Sequence, residues 1–461
     1  MLPVRHLVLV SAALALTATA ADIQQMSQEE KELARTEVRN LQQTGADDRD
    51  IARTYLKDLE EAVAHHYAPA KKVTDEFHRR CAAALAAVGK ARNSNEAFGI
   101  IADALASLDP RIRFYPPTRS ATVDYGWRWQ LYGNKAYVTQ LDQVGDARKQ
   151  GLNLGDQVVS IEGMPLDRET AQQVYYAFNE LAPSPVLHVQ VQAAGGEPRS
   201  LTLAATLREP PKLRAYQENG IQRFEYVRTK RETQRDEEFR DVKNHVRRVG
   251  QTVVWRVEEL RRRISDVSDG LKAASGAGAL ILDLRGQYGP RPETVFRLLD
   301  GLFAEDFEAG IIRENEKNIR LHVSGGRDSF HGTLLVLVDS DSRMFAEVLA
   351  RVVQWKQRGV IVGDRTMGRV FQEETYRGAR GVSFNFTNAF VSIPAGEVLL
   401  AAEPQLDGRG VIPDLLLLPK PADLAGRRDV VLAKALAMLK ETITPEEAYA
   451  LFPRNEADED E

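Results

Sequence analysis

The sequence predicts a multidomain α+β chain, because three kinds of hydrophobic pattern follow one another along its 461 residues. From Met26 to about Leu108, apolar residues recur at three- and four-residue spacing, which is typical of amphipathic helices. From about Ala121 to Leu207, short apolar runs separated by glycine-bearing turns indicate β-structure. From Thr252 onward, strand and helix patterns alternate, which favours an α/β core.

The first twenty residues predict a secretory signal peptide. A short basic start precedes an apolar run from Leu7 to Leu16, and Ala18-Thr19-Ala20 provides a cleavage site after Ala20. A membrane anchor is the alternative, but the apolar run is short for a bilayer span. We therefore expect a periplasmic or secreted bacterial protein with no membrane span after signal removal.

Composition excludes several classes of function. A formal net charge of −5 argues against nucleic acid as a main partner, since phosphate binding needs a basic surplus. The eight histidines form no H-E-x-x-H motif and no phosphate-cradling loop is present, so we predict no metal or other cofactor. Cys81, the single cysteine, allows no intramolecular disulfide and is expected to be a small core residue.

These patterns divide the chain into six segments. Interleaved charges of both signs predict a solvated helical connector after the β-rich unit, with a basic docking face as the alternative. The predicted segments are a signal peptide (1–20), a helical N-terminal region (22–118), a β-rich module (119–207), a charged helical connector (208–250), an α/β core (251–420), and a C-terminal helix with an acidic tail (421–461).

One run in the β-rich module predicts its local structure closely. Between Asp146 and Gly163 a short helix ends at Gly151, Gly155-Asp156 makes a tight turn, and Val158 to Ile161 forms a strand. This run resembles the PDZ signature A-x-x-A-G-[LI]-x-x-G-D-x-[IV]-x-x-[IV]-[ND]-G. The resemblance implies a module that captures protein C-termini by adding them as a strand.

The candidate peptide-binding loop is Tyr125-Gly126-Trp127-Arg128, which resembles the Φ-G-Φ element of PDZ modules. Backbone N–H groups of that element hold the ligand carboxylate. Two alternatives stay open for this loop: an ordinary strand start with aromatic packing, and a module that serves as an internal gate.

The segment Val336–Arg369 keeps the order strand, polar turn, helix, strand and glycine-bearing loop. It resembles the core of the C-terminal processing, or tail-specific, serine peptidases, whose turn reads V-[ND]-x-x-S-A-S-A-S-E and whose loop reads V-G-E-x-T-F-G-K-G. Without gaps, the family's nucleophilic Ser falls on Met344 and its general-base Lys on Arg369. Three further elements follow the family's order: Leu108-Asp109-Pro110, Asp283-Leu284-Arg285-Gly286 and Gly410-Val411-Ile412-Pro413-Asp414.

The replaced residues predict a catalytically inactive member of that family. A methionine thioether has no proton to lose, and an arginine guanidinium stays protonated in proteins. The loop that resembles the family's oxyanion loop is also altered, since Gly286-Gln287-Tyr288-Gly289 runs into Pro290, which has no N–H. Glu373 stands where the family places Gln, and Trp355 stands where some members carry an acid.

The alternative is an active serine peptidase in which Ser342 or Ser340 is a displaced nucleophile. Lys356 and His331 are the nearest candidate bases in sequence, whereas a purely structural role for both serines would be a helix N-cap. For an inactive protein, the expected partners are protein or peptide C-termini, or an active peptidase relative. A small apolar ligand is a third hypothesis, because the superfamily resembles some retinoid-carrying proteins.

Overall fold

The structure is a computed structural model that describes residues 46–67, 73–116, 122–208, 213–218, 221–226, 245–257, 264–287, 291–314, 317–377, 389–402 and 406–452. These residues form a helical region, a β-rich module and an α/β core, which confirms the α+β class. The predicted signal peptide and the acidic tail at 455–461 lie outside the described residues. None of the described helices is long and apolar enough to cross a lipid bilayer.

The helical region packs amphipathic helices around a shared apolar face. Its helices are α1 (Ala46–His66), α2 (Asp75–Val88) and α3 (Ser94–Ala106). Side chains of Thr74 and Asn93 cap α2 and α3 by accepting bonds from backbone N–H groups. Cys81 is fully buried in this core, as predicted. The short strand β1 (Arg113–Tyr115) then leaves the region and joins a sheet of the α/β core.

The β-rich module is a curved antiparallel sheet closed by a helix. Its elements are β2 (Thr122–Asp124), β3 (Trp127–Tyr132), β4 (Lys135–Leu141), α4 (Asp146–Lys149), β5 (Gln157–Ile161), β6 (Met164–Pro165), α5 (Ala171–Tyr175) with a π-helical segment (Tyr176–Leu181), β7 (Val186–Gln192), β8 (Pro198–Ala204) and β9 (Thr206–Arg208). The strand order is β3-β4-β5-β7-β8, so β3 is an edge strand, while β2 pairs with β9. The helix, turn and strand predicted between Asp146 and Gly163 are confirmed.

The predicted helical connector at residues 208–250 is wrong wherever the structure describes it. β10 (Leu213–Glu218) and β11 (Ile221–Tyr226) form an antiparallel hairpin, and β12 (Val246–Val249) begins the core. The signal for the hairpin was present, because Asn-Gly at 219–220 is a strong hairpin-turn dipeptide. Residues 227–244, which carry most of the interleaved charge, lie outside the described residues.

The α/β core is built on a central sheet whose strands are apolar on both faces, as expected for parallel strands covered by helices. Its elements are β13 (Thr252–Arg256), α6 (Ile264–Ala274), β14 (Ala279–Asp283), α7 (Pro292–Asp300), β15 (Phe307–Arg313), β16 (Asn318–Val323), β17 (Thr333–Val338), α8 (Phe345–Trp355), β18 (Val360–Gly363), β19 (Phe371–Arg377), β20 (Phe390–Leu400), β21 (Leu415–Leu416), α9 (Pro421–Ala425), α10 (Val430–Met438) and α11 (Pro445–Ala450). The strand order is β12-β13-β14-β17-β18-β21, and all pairs from β13 to β21 are parallel.

A second, antiparallel sheet lies beside the first. Its order is β1-β20-β15-β16, with β19 also paired to β20. The helical region therefore contributes β1 to the core, and Arg113 lies opposite Ser392 on β20. One helix is predicted for residues 421–461, whereas their described part contains the three helices α9, α10 and α11.

Candidate functional site

Three loops meet at one edge of the central sheet. The parallel strands β14, β17 and β18 end at Asp283, Val338 and Gly363, and their carboxyl ends share this edge. Open parallel sheets bind ligands at the carboxyl ends of their strands. The loops that follow the three strands contain the residues singled out from the sequence, so the candidate site lies here.

Met344 begins α8 in a strained backbone conformation. Its φ is 59° and its ψ is −129°, a region that residues with a side chain rarely adopt, and the residue is 9% exposed. Its amide donates to the carbonyl oxygen of Arg369 at 2.8 Å. The two positions identified by the sequence comparison are therefore adjacent in space.

The strain at position 344 predicts that glycine stabilises the protein more than alanine does at this position, the reverse of the order expected in a helix. M344G is expected to be more stable than M344A by about 1–3 kcal/mol, because glycine adopts this backbone region without cost. Urea unfolding of both variants measures the difference. The matched control is exposed Glu61 on α1, where E61A should be more stable than E61G by about 1 kcal/mol. An equal or lower stability of M344G would contradict the strain.

Glu347 ties the Met344 turn to the loop after β18. Its carboxylate is fully buried and accepts bonds from Thr366 Oγ1 at 2.5 Å, the Gly368 amide at 2.7 Å and the Arg369 amide at 2.9 Å. The Met344 amide also donates to it, at 3.2 Å. Burial raises the pKa of the Glu347 carboxyl to about 7, although the hydrogen bonds oppose the shift. Glu347 thus holds positions 344 and 369 together.

Arg369 is held by an acid and an aromatic ring. Its side chain is 8% exposed, and its Nη2 lies 3.1 Å from Glu373 Oε1. The guanidinium carbon lies 4.9 Å from the ring centroid of Phe371. The Ser392 hydroxyl also bonds to Glu373. A guanidinium paired in this way is a permanent cation and cannot accept a proton from a nucleophile.

In the described part of the candidate oxyanion loop, the backbone amides donate hydrogen bonds to other atoms of the protein. The Gly286 amide donates to Asp339 Oδ1 at 3.0 Å, and the Gln287 amide donates to the Leu284 carbonyl at 3.3 Å. Tyr288 and Gly289 lie outside the described residues. An oxyanion hole needs N–H groups aimed at the reacting oxygen. The amides of Gly286 and Gln287 are instead bonded within the protein.

Ser342 is a structural part of the turn after β17. It is fully buried, and its hydroxyl lies 2.9 Å from the Leu284 carbonyl and 3.0 Å from Asp339 Oδ1. The same hydroxyl accepts from the Asp339 amide at 3.0 Å. A serine has one hydroxyl proton, and both acceptors in reach are protein oxygens. The helix N-cap is Met344, so the N-cap role predicted for the serines is wrong.

Ser340 bonds to the β-rich module instead of facing a cleft. It is 3% exposed, and its hydroxyl donates to the Leu131 carbonyl of β3 at 2.6 Å. Neither candidate base approaches it in the described contacts. The Lys356 ammonium lies over the rings of Phe307 and Trp355, and His331 Nε2 lies 3.1 Å from a backbone carbonyl.

The β-rich module is clamped to the site loops through its edge strand and the turn after it. Gln130 of β3 donates to Asp339 Oδ2 at 2.6 Å, and the Gly133 amide donates to Asp364 Oδ2 at 2.8 Å. Arg168 bonds to the same Asp364 oxygen at 2.8 Å. Burial raises the pKa of Asp364 even though Arg168 opposes the shift. The contact places the module directly over the loops after β17 and β18.

Two carboxylates of the protein lie beside Gly126 in the predicted peptide-binding loop. The Gly126 amide donates to Asp124 Oδ1 at 3.0 Å, and Asp142 Oδ2 lies 2.9 Å from where a Cβ on Gly126 would stand. Trp127 is buried and Arg128 is exposed. A ligand carboxylate at the Gly126 amide would have to displace Asp124 and approach a second acid. The geometry therefore disfavours carboxylate capture at this amide.

Tyr125 has a structural role in the same loop. Its hydroxyl donates to the Phe178 carbonyl at 2.9 Å and accepts from the Ser184 amide at 3.1 Å. These bonds fix the loop to the π-helical segment that covers the sheet. The alternative of a strand start stabilised by aromatic packing fits both aromatic residues, because Trp127 belongs to the module's apolar core and Tyr125 packs against that core.

Comparisons with known proteins agree with this architecture. Residues 248–417 match the family described as peptidase family S41. A tail-specific protease of Haemophilus influenzae is 33% identical over 94 residues, which are 20% of this chain. The matched segment spans only 13% of that protein.

Two solved structures show the same fold at low identity. The structure of mature CPAF complexed with lactacystin is 12% identical and has a TM-score of 0.57, with 87% of this chain and 99% of that chain covered. Mature CPAF alone is 10% identical and has a TM-score of 0.56, with 82% and 94% covered. These matches extend beyond the α/β core to most of the chain.

Proposed function

Residues 248–417 form a peptidase family S41 domain, and from this premise we propose that the protein is an exported member that binds protein chains without cleaving them. Export rests on the signal-like residues 1–20, and chain binding rests on the PDZ-like sequence of the β-rich module. The candidate partners are protein C-termini and a catalytically active relative.

One observation carries the proposal: Met344 and Arg369 are bonded to each other at the strained turn. The family's sequence pattern places its serine and its lysine at these two positions. An unusual backbone conformation is retained at Met344, although a thioether can neither lose a proton nor form an acyl intermediate. The turn therefore keeps the shape of a nucleophile turn without its chemistry.

The alternative of a displaced nucleophile has no support from the described contacts. Ser342 and Ser340 are both buried and bonded to protein oxygens. A serine nucleophile requires a base within hydrogen-bond reach of its hydroxyl. Among the described residues, neither hydroxyl is bonded to a lysine or a histidine.

A cleavage assay tests the proposal. The protein lacking residues 1–20 is incubated with an unstructured polypeptide that has an apolar C-terminus, and in parallel with a fluorophosphonate probe. We expect no cleavage and no labelling, while titration of the same polypeptide shows binding. The S340A/S342A variant is the matched control. Cleavage or labelling by the parent that disappears in this variant would establish the active-peptidase alternative.

A further inference from the structure

A group of charged side chains lies where the β-rich module meets the α/β core. This cleft cluster consists of Glu180 from the π-helical segment, Arg113 from β1, and Arg343, Arg369 and Glu373 from the core. Arg113 Nη1 lies 3.9 Å from Glu180 Oε2, and Arg343 and Arg369 also favour the charged form of Glu180. Arg113 is therefore within ion-pair distance of Glu180, and two further arginines of the cluster act on the same carboxylate through their charge.

The Glu180 carboxylate is poorly satisfied in this position. Its Oε2 is buried and has no hydrogen-bond partner among the described residues, and the side chain is 21% exposed. Burial raises the pKa of Glu180 although Arg113, Arg343 and Arg369 all oppose the shift. Buried carboxylate oxygens are normally hydrogen-bonded, so the Glu180 Oε2 atom lies in an unfavourable position.

The cluster has more positive than negative groups and is largely shielded from water. The side chains of Arg113 and Arg369 are 10% and 8% exposed, and Glu373 already pairs with Arg369. Arginine binds carboxylates through two parallel N–H bonds, and such bonds strengthen when water is excluded. Two methionines contact the same arginines: Arg343 Nη1 lies 3.9 Å from Met367 Sδ, and the Met344 amide donates to the Arg369 carbonyl.

We infer that the cleft cluster is a binding site for the C-terminal carboxylate of a protein chain, which takes the place of the Glu180 carboxylate. This inference rests on the proposed chain-binding function and assigns its anchor to the arginines rather than to the Tyr125 loop. Exchange of one carboxylate for another conserves the charge of the site. The Gly126 amide is already bonded to Asp124, whereas Glu180 leaves an oxygen without a bond.

A fluorescence-anisotropy titration tests the inference with short alanine-rich peptides labelled at the N-terminus. One peptide has a free C-terminal carboxylate, the second has a C-terminal amide, and the third has a C-terminal amide with glutamate as the last residue. We expect the free carboxylate to bind at least about tenfold more tightly than either amide. R343Q and R369Q should each weaken that binding about tenfold, while E180Q should tighten it about tenfold.

The controls remove the same charges at exposed positions, one in the β-rich module and one in the α/β core. E169Q and R327Q should leave the affinity unchanged, and thermal unfolding verifies that each variant is folded. E180Q is expected to tighten peptide binding, whereas the arginine variants are expected to weaken it. Tighter binding by E180Q would show that Glu180 competes with the peptide carboxylate, because a loss of structure would weaken binding instead. Equal binding of carboxylate and amide, tighter binding of the glutamate amide, or no effect of the arginine and Glu180 variants would overturn the inference while the chain-binding function stands. No binding of any peptide would overturn both.

Discussion

Replacement of Arg285 with methionine is expected to lower the free energy of unfolding by about 3–5 kcal/mol, because it removes the guanidinium that bonds both carboxylates of a buried ionic cluster. The second cation of the cluster, Arg256, makes one longer contact, at 3.4 Å from Asp283 Oδ2. Arg285 Nη2 lies 2.8 Å from Asp283 Oδ2 and 2.7 Å from Asp429 Oδ2, and the Asp283 side chain is fully buried. Burial alone would raise the pKa of Asp429, but Arg285 outweighs it and holds that pKa at about 2. Two carboxylates would be left buried in the variant.

Urea unfolding followed by circular dichroism measures this loss. The matched control is R313M, which breaks the pair between Arg313 and Glu397 on partly exposed side chains, 47% and 28% accessible. Its expected cost is under about 1 kcal/mol, because solvent screens such pairs. A similar small loss for R285M would show that Arg285 does not stabilise the link between the loop after β14 and the start of α10.

The second large effect is a gain of reactivity. The triple variant M344S/R369K/E373Q is expected to react with a fluorophosphonate probe, whereas the parent protein does not. The Met344 turn already has its special backbone conformation, and position 369 is bonded to it. The third substitution matters because a lysine beside Glu373 would stay protonated, since an opposite charge at close range raises the pKa of lysine.

We therefore expect the double variant M344S/R369K to be labelled at least about 100-fold more slowly than the triple variant, the usual contribution of a general base. In-gel fluorescence measures both rates, and M344A/R369K/E373Q is the control for labelling at other sites. Equal labelling of the double and triple variants would show that Glu373 does not govern the base. A lack of labelling in all variants would show that the turn alone is insufficient.

Much of the core could be predicted from the sequence. The order strand, helix and strand predicted for Val336–Arg369 is confirmed, because runs of branched apolar residues determine buried parallel strands. The proximity of Met344 and Arg369 also followed from motif order. The positive φ at Met344 could not be predicted, because only the surrounding packing imposes it on a residue that does not favour it.

Other features depend on contacts between distant segments. The bond that the Gly126 amide donates to Asp124 is local, yet a pattern match to a loop does not show which N–H groups are already hydrogen-bonded. The approach of Glu180 to Arg113 depends on how the module docks on the core. The hairpin formed by β10 and β11 differs from the predicted helix for another reason: the interleaved charges of residues 208–250 are typical of a solvated helix, whereas the Asn-Gly dipeptide at 219–220 favours a hairpin turn.

The pairing of β1 with β20 has a consequence for biogenesis. Arg113 lies opposite Ser392, so a strand made early in synthesis has its partner near the end of the chain. Such distant pairings are slow to form, because the intervening chain must be ordered first. During synthesis the N-terminal helices would emerge long before β20 follows, with the edge of β1 unpaired. Until β20 has emerged, the unpaired edge of β1 would be a site at which a chaperone can prevent aggregation.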